Sequence, residues 1–232
     1  MDYSYIDKNY NEINQRIKNA AKLSKHGEAP VFLAAIKSAE ADEVNYLCKT
    51  YGITEVGENR VQQLLARYDA LDKDNMNIHF IGSLQTNKVK YIVDKVCMIH
   101  SLDRIELARE IDKQAGKIGK VMNVLVEINI GQEENKGGIP PCDAERFCQE
   151  ILQFKNIKLC GFMTMAPKCD KKSDYLKYFC ETYQLVLDIW QKKLHNIDRP
   201  IISMGMSDSF EEAIECGSTM VRIGRSLFNK NL

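Results

Sequence analysis

The sequence lacks net charge, long apolar runs, a secretory leader and paired cysteines, and each absence removes a class of function. Lysine plus arginine and aspartate plus glutamate number 32 each, so the formal charge is zero. That balance supplies no electrostatic drive toward nucleic acid or an anionic membrane surface. No apolar run approaches the about 20 residues that span a bilayer. The opening "MDYSYIDKNYNEINQ" is polar and lacks the basic-then-apolar layout of a signal peptide. The expectation is a cytoplasmic protein with neither a nucleic-acid nor a membrane partner.

The eight cysteines, Cys48, Cys97, Cys142, Cys148, Cys160, Cys169, Cys180 and Cys216, include no C-x-x-C pair, and four histidines are scattered among them. Zinc-ligand spacing is missing, so no metal is expected. A chain of 232 residues with 44% apolar content can bury a sizeable core without disulfides. All eight are therefore read as reduced thiols, mostly small core residues. No proline- or glycine-rich linker and no low-complexity stretch divides the chain, which gives residues 1–232 as one domain.

What is present is alternation. In "YIDKNYNEINQRIKNAAKLS", Ile6, Ile13, Ile17 and Ala20 or Ala21 recur at helical spacing, so residues 1–25 contain an amphipathic helix. Eight apolar runs follow: "VFLAAI" (31–36), "ITEVG" (53–57), "IHFIG" (78–82), "VCMIHS" (96–101), "VMNVLVEINI" (121–130), "LCGFMTM" (159–165), "IISMG" (201–205) and "TMVRIG" (219–224). Seven helical patterns separate them, "TNKVKYIVDK" among them. Strict β-α alternation implies a parallel sheet covered by helices, and eight repeats favour closure into a (β/α)₈ TIM-type barrel. No G-x-G-x-x-G follows the first run, so the open dinucleotide-binding sheet lacks its signature. Only "RSLFNKNL" follows the eighth run, and the opening helix is placed to cover the gap left by a missing eighth helix.

In such a barrel, chemistry gathers at the carboxyl ends of the strands. Lys37 terminates the first run on the face of Leu33 and Ala35. A lysine directed into a barrel mouth is partly desolvated, which prepares its amine for imine formation; the plain alternative is a lysine snorkelling to solvent. After the seventh run, Ser207, Asp208 and Ser209 are all good helix caps, and Asp208 to Glu211 or Ser209 to Glu212 matches a capping box. The small Ser203 and Gly205 just before leave room for a ligand, and amides at a helix start suit a phosphate. In "VRIGRS", Arg222 faces away from Val221 and Ile223, while the Gly224 and Arg225 amides line an anion nest. The plain alternative pairs Arg222 with a carboxylate such as Glu127. On adjoining strands, these signals combine into a phosphate pocket beside an imine-forming lysine.

The stretches "LAAIKSA", "VGENRVQ", "HFIGSLQTNKVKYI", "HSLDR", "VEINIGQEENKGGI", "GFMTMAP" and "SMGMSDSFEEAIECGSTMVRIGRSLF" run collinearly over residues 30–228. Together they resemble the pyridoxal phosphate homeostasis proteins. The resemblance implies the barrel of alanine racemase and other fold-type III enzymes without their C-terminal β-domain. It places Lys37 as the Schiff-base lysine and Arg222 as the arginine facing the pyridine nitrogen. Ser207, Gly224 and the Arg225 amide match the phosphate cradle, which Ser203 and Met206 line, and Asn59 stands beside the cofactor. The sequence departs at Arg225, where many relatives carry a small hydroxylated residue, and "FNKNL" lacks a glycine common after the phenylalanine.

A cation at the pyridine nitrogen makes the ring a poorer electron sink, and carbanion chemistry would still need a placed acid/base pair. In racemases of this fold one such group comes from a second domain, larger than anything following the eighth run. The resemblance therefore implies a monomeric carrier holding pyridoxal 5'-phosphate on Lys37, exchanging it with cofactor-dependent apoenzymes and having no catalytic residue of its own. Two alternatives stay open: an amino-acid racemase of fold type III, and a barrel that binds another sugar phosphate through Ser207 and Gly224.

Overall fold

Eight parallel strands pair in sequence order, and the last returns to the first to close a barrel. In the computed structural model, which describes residues 2–24 and 27–230, they are β1 (Val31–Ala35), β2 (Glu55–Glu58), β3 (Asn77–Phe80), β4 (Met98–Leu102), β5 (Met122–Ile128), β6 (Ile157–Thr164), β7 (Ile201–Ser203) and β8 (Met220–Ile223). Each falls in or beside one of the eight apolar runs. The helices are α1 (Ser4–Ala21), α2 (Ala41–Tyr51), α3 (Val61–Arg67), α4 (Ile105–Lys117), α5 (Ala144–Ile151), α6 (Lys172–Gln191) and α7 (Phe210–Glu215).

The period-two pattern sorts the strand side chains. Ala34, Val56, Ile78, Phe80 and Ile223 face outward and join the large core beneath the helices. Leu33, Ile81 and Met220 form one small interior cluster, and Met98, Leu125, Cys160 and Met163 form another. The interior also holds His79, His100, Ser203 and Arg222, all buried.

The opening helix packs on the barrel wall. Its apolar stripe of Ile6, Ile13, Ile17, Ala20 and Ala21 is buried. Arg16 pairs with Glu211 of α7 at 2.7 Å and lies over the Phe210 ring. Toward the other side, Asp7 accepts hydrogen bonds from Tyr46 (2.8 Å) and Tyr51 (2.7 Å) of α2. α1 thus bridges α7 and α2, where a helix after β8 would otherwise pack. Met1 and Lys25 of the expected 1–25 segment, and Asn231 and Leu232 at the end of the expected domain, lie outside the described residues.

Three expectations are corrected. "TNKVKYIVDK" forms a 3-10 stretch, Thr86–Tyr91, and then turns. Its apolar residues Val89, Ile92 and Val93 are buried over too short a span to sustain an α-helical stripe. No capping box opens α7: Ser209 is the N-cap but its hydroxyl makes no cap bond, and Asp208 is paired with Arg225 instead. Nor are all cysteines reduced. Cys180 of α6 and Cys216, just past α7, form a disulfide with Cα atoms 5.0 Å apart. They are 36 residues apart in sequence, a separation with no pairing signature, and only the packing of α6 against α7 brings them together. Of the other six, Cys48, Cys148 and Cys160 are buried. Among the described residues no helix is long and apolar enough to cross a membrane, and no group of potential ligands is placed to hold a metal ion.

Candidate functional site

The inward row of β1 runs Leu33, Ala35, Lys37. The Ile36 amide donates to the Gly57 carbonyl at 2.9 Å, so strand pairing persists to the residue before the lysine. Lys37 itself lies in the turn and is exposed.

Leu33 is in register with Arg222 across the β1–β8 pair. Arg222 is 4% exposed. Its Nη1 donates to the Ser203 carbonyl at 2.7 Å and to the Ser203 hydroxyl at 2.8 Å, and its Nη2 donates to the Thr164 carbonyl at 3.0 Å. Neutral oxygens therefore fix the guanidinium, and Glu127 acts on it across space. Burial pulls Arg222 down to about 10, with Glu127 opposing that shift, and the group remains a cation at neutral pH.

Glu127 responds in the opposite sense. Burial pushes its carboxyl up to about 7, the Asp103 carboxylate adds to the shift, and Arg222 opposes it. A Cβ on Gly137 would stand 3.5 Å from an oxygen of each acid, so the 131–138 loop crosses directly over this pair. A carboxyl that holds its proton near neutrality thus sits beside the guanidinium at the barrel mouth.

The turns after β7 and β8 meet next to Lys37. Gly205 has φ +92, a region that favours glycine, and its carbonyl accepts from the Arg222 amide at 3.0 Å. A Cβ on Gly224 would run into the Ala35 carbonyl, so only glycine lets β8 end this close to β1. The Ser207 hydroxyl accepts from the Ser226 amide at 3.3 Å. Met206 is exposed above Gly205. The Arg225 side chain is exposed and engaged with Asp208, which leaves its backbone as the part available to a ligand at the strand end. A cavity of about 480 Å³ between α1 and the two turns touches Ser207, Arg225 and Ser226.

Two polar atoms here are buried without a hydrogen-bond partner, Asn59 Oδ1 beyond β2 and Ser226 Oγ beyond β8. Leaving such atoms unpaired costs about 1–3 kcal/mol each, which a polar ligand would recover. Lys37, Asn59, Ser203, Met206, Ser207, Arg222, Gly224 and Arg225 therefore all fall at the carboxyl ends of β7, β8, β1 and β2, four consecutive strands of the closed barrel. An amine, a buried cation, two small turns and two unpaired polar atoms fit an anionic, carbonyl-bearing ring such as pyridoxal phosphate.

Sequence reasoning missed Ser226, whose hydroxyl stands one position from the departure at Arg225. It also passed over Glu55, His79 and His100, which sit at inward positions of β2, β3 and β4 where alternation would have placed them. Glu127 entered only as a partner for Arg222.

Residues 2–231 match the family profile described as alanine racemase, N-terminal domain. The pyridoxal phosphate homeostasis protein of Aquifex aeolicus is 41% identical over 93% of this chain and 94% of its own length. A crystal structure of an unknown protein from Bifidobacterium adolescentis superposes with a TM-score of 0.91 at 30% identity, covering 98% of this chain and 97% of that one. PipY of Synechococcus elongatus, solved with PLP bound, shares the fold at a TM-score of 0.82 and 23% identity, over 97% of this chain and all of its own.

Proposed function

The chain belongs to the pyridoxal phosphate homeostasis proteins, within the family of alanine racemase N-terminal domains, and from that premise we propose that it binds pyridoxal 5'-phosphate and acts in the cell's homeostasis of this cofactor. The observation that carries the reading is the placement of Lys37 and Arg222 on the inward rows of paired strands, with an unpartnered buried hydroxyl, that of Ser226, in the turn just after β8. When bound, the cofactor supplies an electrophilic carbonyl and a conjugated ring.

In this reading Lys37, exposed at the rim, is the residue that would hold the cofactor through its carbonyl, its amine displacing the carbonyl oxygen as water. Arg222, held by Ser203 and Thr164, would supply positive charge toward the ring nitrogen and so disfavour its protonation. Ser207, Gly224, the Arg225 backbone and Ser226 receive the phosphate, Met206 and Ser203 line its end of the pocket, and Asn59 takes a polar contact at the β2 edge. Residues 1–232 act as one barrel domain, a cytoplasmic monomer that stores the cofactor and passes it to apoenzymes rather than turning over a substrate. The naming of the Aquifex aeolicus relative, matched along 94% of its own length, supports that role.

The test is a visible spectrum of the protein with pyridoxal phosphate, before and after borohydride, followed by peptide mapping. Absorbance that reduction fixes onto Lys37 is the expected result; an adduct on another side chain, or none, removes the reading. One observation favours a second reading, an amino-acid racemase: Glu127 holds its proton near neutrality beside Arg222. Exchange of an amino acid's α-proton in heavy water, well above the rate with free cofactor and lost in Glu127→Gln, would establish it.

A further inference from the structure

A line of buried polar side chains runs through the barrel interior beneath Arg222. The Ser203 hydroxyl lies 3.4 Å from His100 Nδ1. His100 Nε2 lies 2.9 Å from His79 Nδ1, and His79 Nε2 lies 2.5 Å from Glu55 Oε2 at the start of β2. His100 is fully buried and His79 nearly so, while the Glu55 side chain is 21% exposed. The line therefore crosses the barrel from Arg222 to the amino-terminal rim, on side chains from β8, β7, β4, β3 and β2.

Its two ends dictate its direction. Arg222 can only donate, and the Glu55 carboxylate can only accept. Ser203 Oγ already accepts from Arg222 and has one proton to give, so that proton goes to His100 Nδ1. His100 must then carry its proton on Nε2 and donate to His79 Nδ1. His79 in turn carries its proton on Nε2 and donates to Glu55. The reverse arrangement would make Ser203 Oγ accept twice and leave its own buried O–H without an acceptor. Burial, the largest cause, holds His100 well below the ordinary histidine range, so it is neutral, as this order requires.

We infer that Glu55, His79 and His100 form a one-way hydrogen-bonded line that orients the Ser203 hydroxyl under Arg222, which makes His100 a positioning residue for the cofactor's arginine. This rests on the cofactor-site reading above for its functional meaning, but the line itself is a property of the protein alone. Without it, Ser203 Oγ is free to rotate its proton toward Arg222, the guanidinium loses one of its two anchors on Ser203, and the cation that would face the ring nitrogen is no longer held in one place.

The experiment has two arms. Nitrogen-15 NMR of the cofactor-free protein at neutral pH reads both tautomers directly; Nε2–H is expected on His79 and on His100, and Glu55→Ala is expected to populate the Nδ1–H form of His79. Finding the Nδ1–H form on His100 overturns the inference. In the second arm, His100→Gln keeps an acceptor for Ser203 and a donor for His79, whereas His100→Leu keeps neither. Affinity for pyridoxal phosphate should fall roughly fivefold in His100→Leu and stay within about twofold in His100→Gln. Equal losses in both variants would show a packing role only and overturn the positioning role. If His100→Leu does not fold, Glu55→Ala at the partly exposed end replaces it, with a smaller loss in the same direction. Failure of the wild-type protein to bind the cofactor would sink the function proposed above while leaving the tautomer result standing.

Discussion

Arg222 and Ser203 are joined twice, through the serine carbonyl at 2.7 Å and its hydroxyl at 2.8 Å, both from the same guanidinium nitrogen. This double anchor and the Thr164 carbonyl make Arg222 part of the barrel wall as much as of the site. A lysine in its place keeps the charge but has no planar fork to meet acceptors on two different strands. Arg222→Lys is expected to destabilise the fold by about 1–3 kcal/mol in urea denaturation and to weaken cofactor binding as well.

Lys37 should behave oppositely. It is exposed and lies outside the interior layers, so nothing in the packing depends on it. Lys37→Ala is expected to change unfolding free energy by no more than about 0.5 kcal/mol, while abolishing the adduct that borohydride fixes. Denaturation curves and mass spectrometry of the reduced protein check the two halves separately.

Glu127 predicts a pH dependence. Its pKa is raised from 4.5 to about 7 in the folded protein, with burial the leading cause. Between those values the folded state binds a proton that the unfolded state has lost, so stability falls as pH rises from 4.5 to 7. A shift of this size corresponds to a loss on the order of 3 kcal/mol by pH 8. Glu127→Gln, which cannot ionise, should remove that slope and be more stable than wild type at pH 8. Equilibrium unfolding across this range measures it.

Most of the barrel was legible because its signals are local. Each strand is a short apolar run with period-two sorting, and Leu33, Ala35 and Lys37 could be assigned to one face without knowing their neighbours. The turns carrying Ser207 and Gly224 announced themselves through small residues at strand ends. What stayed hidden depends on contacts between distant segments. Asp208 looked like a cap until Arg225, 17 residues away, was seen to claim it. His79 and His100 look like ordinary strand residues in sequence; only closure of the sheet brings β3 and β4 to face β7 across the interior and turns two histidines into a line. The Cys180–Cys216 bond was hidden for the same reason.

That bond yields its own expectation. In the chain-entropy account, a link across 36 residues constrains the unfolded state by about 3–4 kcal/mol. Reduction, or Cys180→Ser together with Cys216→Ser, should lower the thermal midpoint by several degrees. A dithiol should have no effect on the double variant. A midpoint indifferent to reductant in the wild-type protein would mean that the two sulfurs are not bonded in solution.

Ser226 gives a prediction with two opposite signs. Its hydroxyl is buried and has no partner, and its backbone amide already holds Ser207 Oγ. In the cofactor-free protein the hydroxyl is a cost, and Ser226→Ala removes that cost without touching the amide. The variant should therefore be as stable as the wild type or more so, by up to about 1 kcal/mol. In the phosphate cradle proposed above, the same atom would supply a hydrogen bond to a charged phosphate, in the place left open by the departure at Arg225. Such a bond is worth about 1.5–3 kcal/mol, so the variant should bind pyridoxal phosphate at least roughly tenfold more weakly. Thermal unfolding of the cofactor-free proteins and a binding titration read the two effects independently. A variant that loses stability and keeps its affinity would assign Ser226 to the fold and remove it from the phosphate cradle.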